Sequence, residues 1–145
     1  STALDTGSCW TLVRELSPGD KIPCTHVIHK PIPWKTYKVE VTPVKSYFKG
    51  QVARLAVTGA ESVTKKGYDP HLVTGKITNE SSFKAKGVWA IASLYGADGK
   101  IVGADRGMVA GNDLEPGASG LFKIRVYNLA EPPTKFRVVA VGYSE

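Results

Sequence analysis

Sulfur and imidazole are scarce in this chain: two cysteines, one methionine and three histidines in 145 residues. That scarcity removes several functions at once. A copper site built from one Cys, two His and a weak axial Met would need Met108 near a cysteine, and it lies far downstream of Cys9 and Cys24. No Gly-x-Ser-x-Gly elbow occurs, and no Ser-x-x-Lys stands near a plausible partner, so nucleophilic catalysis is not expected. No Gly-rich phosphate loop closes on Gly-Lys-Ser/Thr. His71 follows Asp69-Pro70 and reads as a solvated loop residue. No apolar run approaches the ~20 residues of a membrane helix, so no membrane span is expected. From Ser1 on, no basic n-region and no apolar h-region is visible, and Ser1 reads as a processed start, compatible with a removed signal. No stretch carries a helical stripe. The chain therefore reads as a non-enzyme without a cofactor.

The charge is positive but diffuse. Nineteen Lys and Arg against thirteen Asp and Glu give a formal net charge of +6. Nucleic-acid binding needs a dense basic stripe with stacking aromatics. Here the lysines are scattered between apolar positions, and Lys65-Lys66 is the only adjacent basic pair. Solubility explains the charge, and no nucleic-acid partner is expected.

Cys9 and Cys24 stand close together and alone. Joining them closes a loop of about 15 residues, which the chain-entropy model values at roughly 3 kcal/mol. Such bonds persist outside the cytosol, so the pair points to a secreted, periplasmic or cell-surface, that is extracytoplasmic, location. A competing reading takes Cys9, Cys24, His26 and His29 as four soft ligands for zinc. Their spacing matches no standard finger, and on a strand His29 would face away from Cys24 and His26. A disulfide with two ordinary histidines is the preferred reading. Asp105, Asn112, Asp113 and Glu115 cluster near turns, but they lack the alternating acidic pattern of a calcium loop.

Period-two alternation dominates the rest. Tyr37, Val39 and Val41 point one way, and Lys38, Glu40 and Thr42 the other. Residues 51–58, 72–79, 88–95, 101–109, 121–127 and 136–143 read as further strands. Residues 9–13 and 21–28 read as a hairpin about Ser17-Pro18-Gly19-Asp20, and 61–70 as a loop. Asp98-Gly99 predicts a tight hairpin turn. Pro116-Gly117 predicts a turn before a buried strand. Roughly seven to nine short strands at this spacing suggest an all-β, antiparallel, immunoglobulin-like β-sandwich. The expected organisation is an N-terminal extension or arm over 1–50, packing on a sandwich domain over 51–145.

Val73-Thr74-Gly75-Lys76-Ile77-Thr78-Asn79, Ala92-Ser93-Leu94-Tyr95-Gly96, Asp98-Gly99-Lys100-Ile101-Val102 and Leu114-Glu115-Pro116-Gly117 before Phe122 carry a family resemblance. Residues 72–143 resemble the FxLYD family, small immunoglobulin-like sandwich domains of bacterial and archaeal, often exported, proteins. The Phe and Asp positions that name the family hold Ala92 and Gly96 here. The resemblance implies a fold and brings no catalytic residues. Asn79 is expected to bridge a turn through its side chain. The same residue opens Asn79-Glu80-Ser81, formally a glycosylation acceptor.

Too much of this pattern is apolar for one sandwich core. Opposite the core-facing rows, Trp89, Ile91, Tyr95, Tyr127, Val139 and Tyr143 fall on what should be outer faces, where a solvated sheet alternates to polar. Something must cover them, and residues 1–50 are the first candidate. The second is a partner, with Trp89, Tyr95, Tyr127 and Tyr143 as contact residues and Arg125 as a polar handle. The expected function is a non-enzymatic interaction or assembly module, as a subunit of a larger complex or filament, with a protein partner or self-assembly. A glycan or small ligand stacked on the same aromatics is the alternative, and a metal-binding protein the third.

Overall fold

The computed structural model describes residues 6–9, 11, 13–16, 18–28, 33, 36–64 and 70–145. The chain divides into two compact units, Ser1–Phe48 and Lys49–Glu145.

In the first unit no strand or helix forms among the described residues. Its fixed points are side-chain contacts. Cys9 and Cys24 form a disulfide, with Cα atoms 5.8 Å apart, inside the ordinary range for such bonds. The His26 ring lies against Gly7, where any side chain would collide with it. The Arg14 guanidinium stands 5.3 Å above the Phe48 ring. The expected strands at 9–13, 21–28 and 37–42 are thus absent among the described residues. Alternation decides which face a strand would bury, but a strand also needs a neighbour, and an isolated hairpin is marginal in water.

Among its described residues the second unit is all-β, with six strands rather than seven to nine. They are β1 (Leu55–Val63), β2 (His71–Asn79), β3 (Lys86–Tyr95), β4 (Ile101–Met108), β5 (Ser119–Val126) and β6 (Lys135–Tyr143). Two three-stranded antiparallel sheets result, ordered β1-β2-β5 and β4-β3-β6. Their facing rows make the core of a β-sandwich: Val73 and Ile77 from β2, Val88, Ala90, Ala92 and Leu94 from β3, and Phe122, Ile124 and Val126 from β5. Opposite Phe122 stands Gly75, and a Cβ on Gly75 would lie 2.7 Å from Phe122 Cζ. The missing side chain makes room for the ring.

Turn chemistry sets the register. Gly96 N–H donates to Lys100 C=O (2.9 Å), Gly99 N–H to Gly96 C=O (3.1 Å), and only Gly99, at φ +78°, is left-handed. The loop is therefore a three-residue turn with a left-handed glycine, not the two-residue turn that Asp98-Gly99 suggests. Asp98 contributes instead by accepting from Lys100 N–H (2.9 Å). Before β5, Ala118 N–H donates to Glu115 C=O (3.0 Å) with Pro116 and Gly117 (φ +76°) between them, a type II turn. Asn79 ties these pieces together. Its amide donates to Phe83 C=O (2.8 Å) and Leu114 C=O (2.9 Å), and its side-chain oxygen accepts from Ser81 N–H (2.9 Å). It has no exposed surface, so in the folded protein it offers nothing to a glycosylating enzyme.

The two sides of the sandwich differ. At the β4–β5 side the layers join. Val109 bridges to Phe122, and Ala110 N–H donates to Leu121 C=O (2.8 Å). Gly120 permits the approach, since a Cβ there would fall 2.4 Å from Val109 Cγ1 and 2.8 Å from Ala110 O. At the β1–β6 side the join is short. Val52 bridges to Tyr143, Ala53 N–H donates to Gly142 C=O (2.8 Å), and Ser144 N–H to Gln51 C=O (3.0 Å). From Arg54 onward the chain crosses into the other sheet as β1.

Candidate functional site

Strand β3 is central in its sheet, and alternate residues point away from the core. Trp89, Ile91, Ser93 and Tyr95 form that outer row. Met108, Arg106, Ala104 and Ile101 on β4, and Val141, Val139, Arg137 and Lys135 on β6, are their cross-strand partners. Met108, Trp89 and Val141 make one apolar rung across three strands. Arg106, one step diagonal to Trp89, holds its guanidinium 4.4 Å above the indole ring, a cation–π contact. Ile91 and Ser93 are buried, Trp89 and Tyr95 half-buried, and Met108 and Ile101 exposed.

The structure does not gather the five expected contact residues on one surface. Trp89 and Tyr95 share the outer face of β4-β3-β6. Arg125 is on the solvent face of β5, in the other sheet, and exposed Tyr127 follows the end of that strand. Tyr143, expected to be a contact residue, is buried at the end of β6. Period-two patterning names the face of each strand, but it does not say which strands share a sheet. The Trp89 ring also carries Arg106 on one face, which a stacked sugar would have to displace.

The metal readings fare no better. Cys9 and Cys24 are consumed in the disulfide, so neither offers a thiolate; His29 lies outside the described residues. No group of three or more His, Cys, Asp or Glu is placed to hold a metal ion among the described residues. The acidic turn residues are neutralised locally. Lys84 Nζ sits 3.1 Å from Glu115 and 3.8 Å from Asp113. The hydrogen bond that Lys84 donates to Glu115, with the charges of Glu115 and Asp113, raises the Lys84 pKa above its ordinary value. Asp113 also accepts from Gly87 N–H (3.0 Å).

His71 is not a solvated loop residue. It opens β2, is buried, and its ring nitrogens meet Ser62 Oγ (2.6 Å) and Thr64 Oγ1 (3.2 Å). Burial holds its pKa below the usual imidazole value. Both nitrogens are satisfied by hydroxyls at the end of the β1–β2 pair, a structural arrangement for a neutral ring.

A further feature is not evident from the sequence: the outer edge of β6. Along a strand the main-chain N–H and C=O of alternate residues point to the same side. Gly142 turns its carbonyl away from β3, toward Ala53, so Phe136, Val138 and Ala140 turn theirs the same way. Among the described residues no backbone hydrogen bond outside the β3–β6 ladder reaches these three. Other edges are blunted. β1 breaks register between Thr58 and Glu61, the start of β4 is capped by Ala130 N–H on Val102 C=O (2.9 Å), and β5 is met by Val109 and Ala110. Over 135–141, β6 has no proline, glycine or bulge of its own, the kind of edge that invites another strand. Beside it the core is incompletely covered. Leu55, Val57, Val138 and Ala140 pack on the core only half-buried, and Phe136 is 37% exposed, whereas Val109 and Phe122 across the molecule are 2% and 3%. The signal available in the sequence is the row Phe136, Val138, Ala140 in a strand whose only neighbour in sequence, β5, pairs elsewhere.

Comparison with family models, with curated proteins and with solved structures returns no match.

Proposed function

We propose that this chain is a non-enzymatic assembly module working outside the cytosol, with the β4-β3-β6 sheet as its contact element. The observation that carries the reading is the open side of the sandwich, where β6 presents main-chain groups that no described residue pairs, beside half-buried Leu55, Val57, Val138 and Ala140. The Met108–Trp89–Val141 rung adds apolar surface on the outer face of the same sheet. The disulfide supports an oxidising compartment. The ionisable groups noted above are engaged in structure: His71 between two hydroxyls, Lys84 between two carboxylates.

Fold-level analogy supports the same reading. In immunoglobulin lettering, strands A, B and E share one sheet, and C′, C and F the other, with G beside F. The order β1-β2-β5 and β4-β3-β6 follows that scheme, with β6 as F. The place of G, along 136–140, is filled by no described residue. A sandwich with that place open is completed by whatever supplies a strand.

Sedimentation velocity over a wide concentration range tests the proposal. Reversible association is expected, weakened by Met108→Lys on the outer face or by Val138→Pro, which removes an outward N–H and spares the β3 ladder. A sedimentation coefficient that stays monomeric throughout, with neither variant differing from wild type, would overturn it.

A further inference from the structure

We infer that the strand received at the β6 edge is residues 37–41 of a second copy of this chain. The inference rests on the assembly reading above and names its partner.

Residues 36–44 carry the pattern an added strand needs. They form no strand, and Val39, Val41 and Val44 are 72%, 85% and 76% exposed. Tyr37, Val39 and Val41 alternate with Lys38, Glu40 and Thr42, so one edge-on placement sends the apolar row into the open side of the sandwich and the polar row to the outer face. The receiving stretch Phe136–Ala140 is about 13 Å long at roughly 3.3 Å per residue, which is five residues against the five of 37–41. Pro43 follows, where an edge strand must stop because no N–H is left to donate.

Register follows from the same two rows. In antiparallel pairing with Val39 opposite Val138, Tyr37 falls opposite Ala140 and Val41 opposite Phe136. Each large residue meets a smaller one, and all share the interior face. On the outer face Glu40 then falls opposite Arg137, with Thr42 opposite Lys135, so the one acid of the arm meets the basic end of β6. A slip by one residue would turn the valines outward. A slip by two in one direction would place Lys38 opposite Arg137, and in the other would move Glu40 opposite Val139, away from both basic residues.

The donor is a second copy because of where the chain runs. Residues 51–53 already occupy the edge beside Gly142–Ser144 and are antiparallel to β6. In the register above, Val41 sits beside Phe136 while Gln51 sits beside Ser144, about 26 Å away at ~3.3 Å per residue. The ten chain steps between them reach at most ~35 Å, and they would have to double back along an edge already filled at that end. A separate copy meets no such restriction. Reciprocal exchange closes a dimer, and passing the arm onward builds a chain.

The test is charge reversal with rescue between copies, on the full 145-residue chain. Glu40→Lys alone and Arg137→Glu alone should each weaken self-association roughly tenfold by placing like charges opposite. Mixing the two variants should restore it. In a mixed pair one contact carries both reversals and the other carries neither, so opposite charges meet at each. Rescue on mixing requires exchange between copies; an arm folded onto its own chain cannot give it. If the mixture associates no better than the single variants, or if neither variant differs from wild type, the inference is overturned. Should Met108→Lys or Val138→Pro weaken association while these changes do not, the assembly reading stands and the arm is not its strand. Monomers under every condition defeat both.

Discussion

Replacing Asn79 by alanine removes three hydrogen bonds from a fully buried position. Two are donated to Phe83 and Leu114 carbonyls at 2.8 and 2.9 Å, and one is accepted from Ser81 N–H at 2.9 Å. The bonds do not count equally. Leu114 C=O keeps a partner, because it also accepts from Ala85 N–H at 2.8 Å. Ser81 is half-exposed, and its N–H can turn to water. Phe83 C=O loses the one hydrogen bond it receives among the described residues. At about 1 kcal/mol for each of the three net bonds, plus about 1 kcal/mol for the stranded acceptor and the small void, the loss is about 4 kcal/mol. A domain has roughly 5–15 kcal/mol in all, so the variant folds but unfolds at much lower denaturant. Urea unfolding should show a lower midpoint with an unchanged slope. Asn79→Asp sharpens the test. It keeps the accepting oxygen but turns a carboxylate toward two carbonyls, which raises its pKa in the folded state. Its deficit should therefore exceed that of alanine at neutral pH and shrink as the pH falls and the acid protonates. An alanine variant losing less than about 1 kcal/mol, or an aspartate variant insensitive to pH, would show that Asn79 does not hold these turns together.

Three further outcomes follow. His71, whose folded pKa lies below its unfolded value because burial disfavours the charged ring, favours the folded state fully above the unfolded pKa of about 6.5. Stability should fall as the pH drops below that value, because the unfolded chain binds the proton first, and His71→Gln should flatten this part of the urea-midpoint profile. Cys9→Ser should lower thermal stability under oxidising conditions by up to ~3 kcal/mol and leave no difference from wild type once reductant is present, as read by calorimetry. Gly120→Ala should cost about 1–3 kcal/mol, because its Cβ would meet the Ala110 carbonyl at 2.8 Å and push the β4 end away from β5, measurable by urea unfolding.

Much of the sandwich is legible in the sequence because burial in a pleated sheet has period two. The inward rows Val88-Ala90-Ala92-Leu94 and Phe122-Ile124-Val126 are visible by eye, and both are buried. Pro116-Gly117 is equally plain, since a left-handed residue after proline demands glycine. What stays hidden is everything that depends on a neighbour. Tyr37–Thr42 alternates as well as β6 does, yet it forms no strand, because pattern without a partner leaves the backbone unpaired. Trp89 and Arg125 suggest one surface although their strands lie in different sheets, since pairing order is not written in the period. Alternation over 51–58 suggests a single strand, while residues 51–53 pair with β6 and the chain then crosses to begin β1 at Leu55. His71 reads as solvated because Pro70 precedes it; the hydroxyls that satisfy it, on Ser62 and Thr64, come from a stretch whose polarity suggests a loop. The open edge is hidden for the same reason: an edge is a missing neighbour.

Amide hydrogen exchange along β6, followed by NMR as a function of protein concentration, tests the central claim most directly. In dilute solution the amides of Arg137, Val139 and Val141, which face β3, should be protected, and those of Phe136, Val138 and Ala140 should exchange rapidly. As concentration rises, the second set should gain protection together, and Val39 and Val41 with it. Protection of Phe136, Val138 and Ala140 that is already complete in dilute solution and indifferent to concentration would mean that the edge is covered within one chain, and would contradict the account.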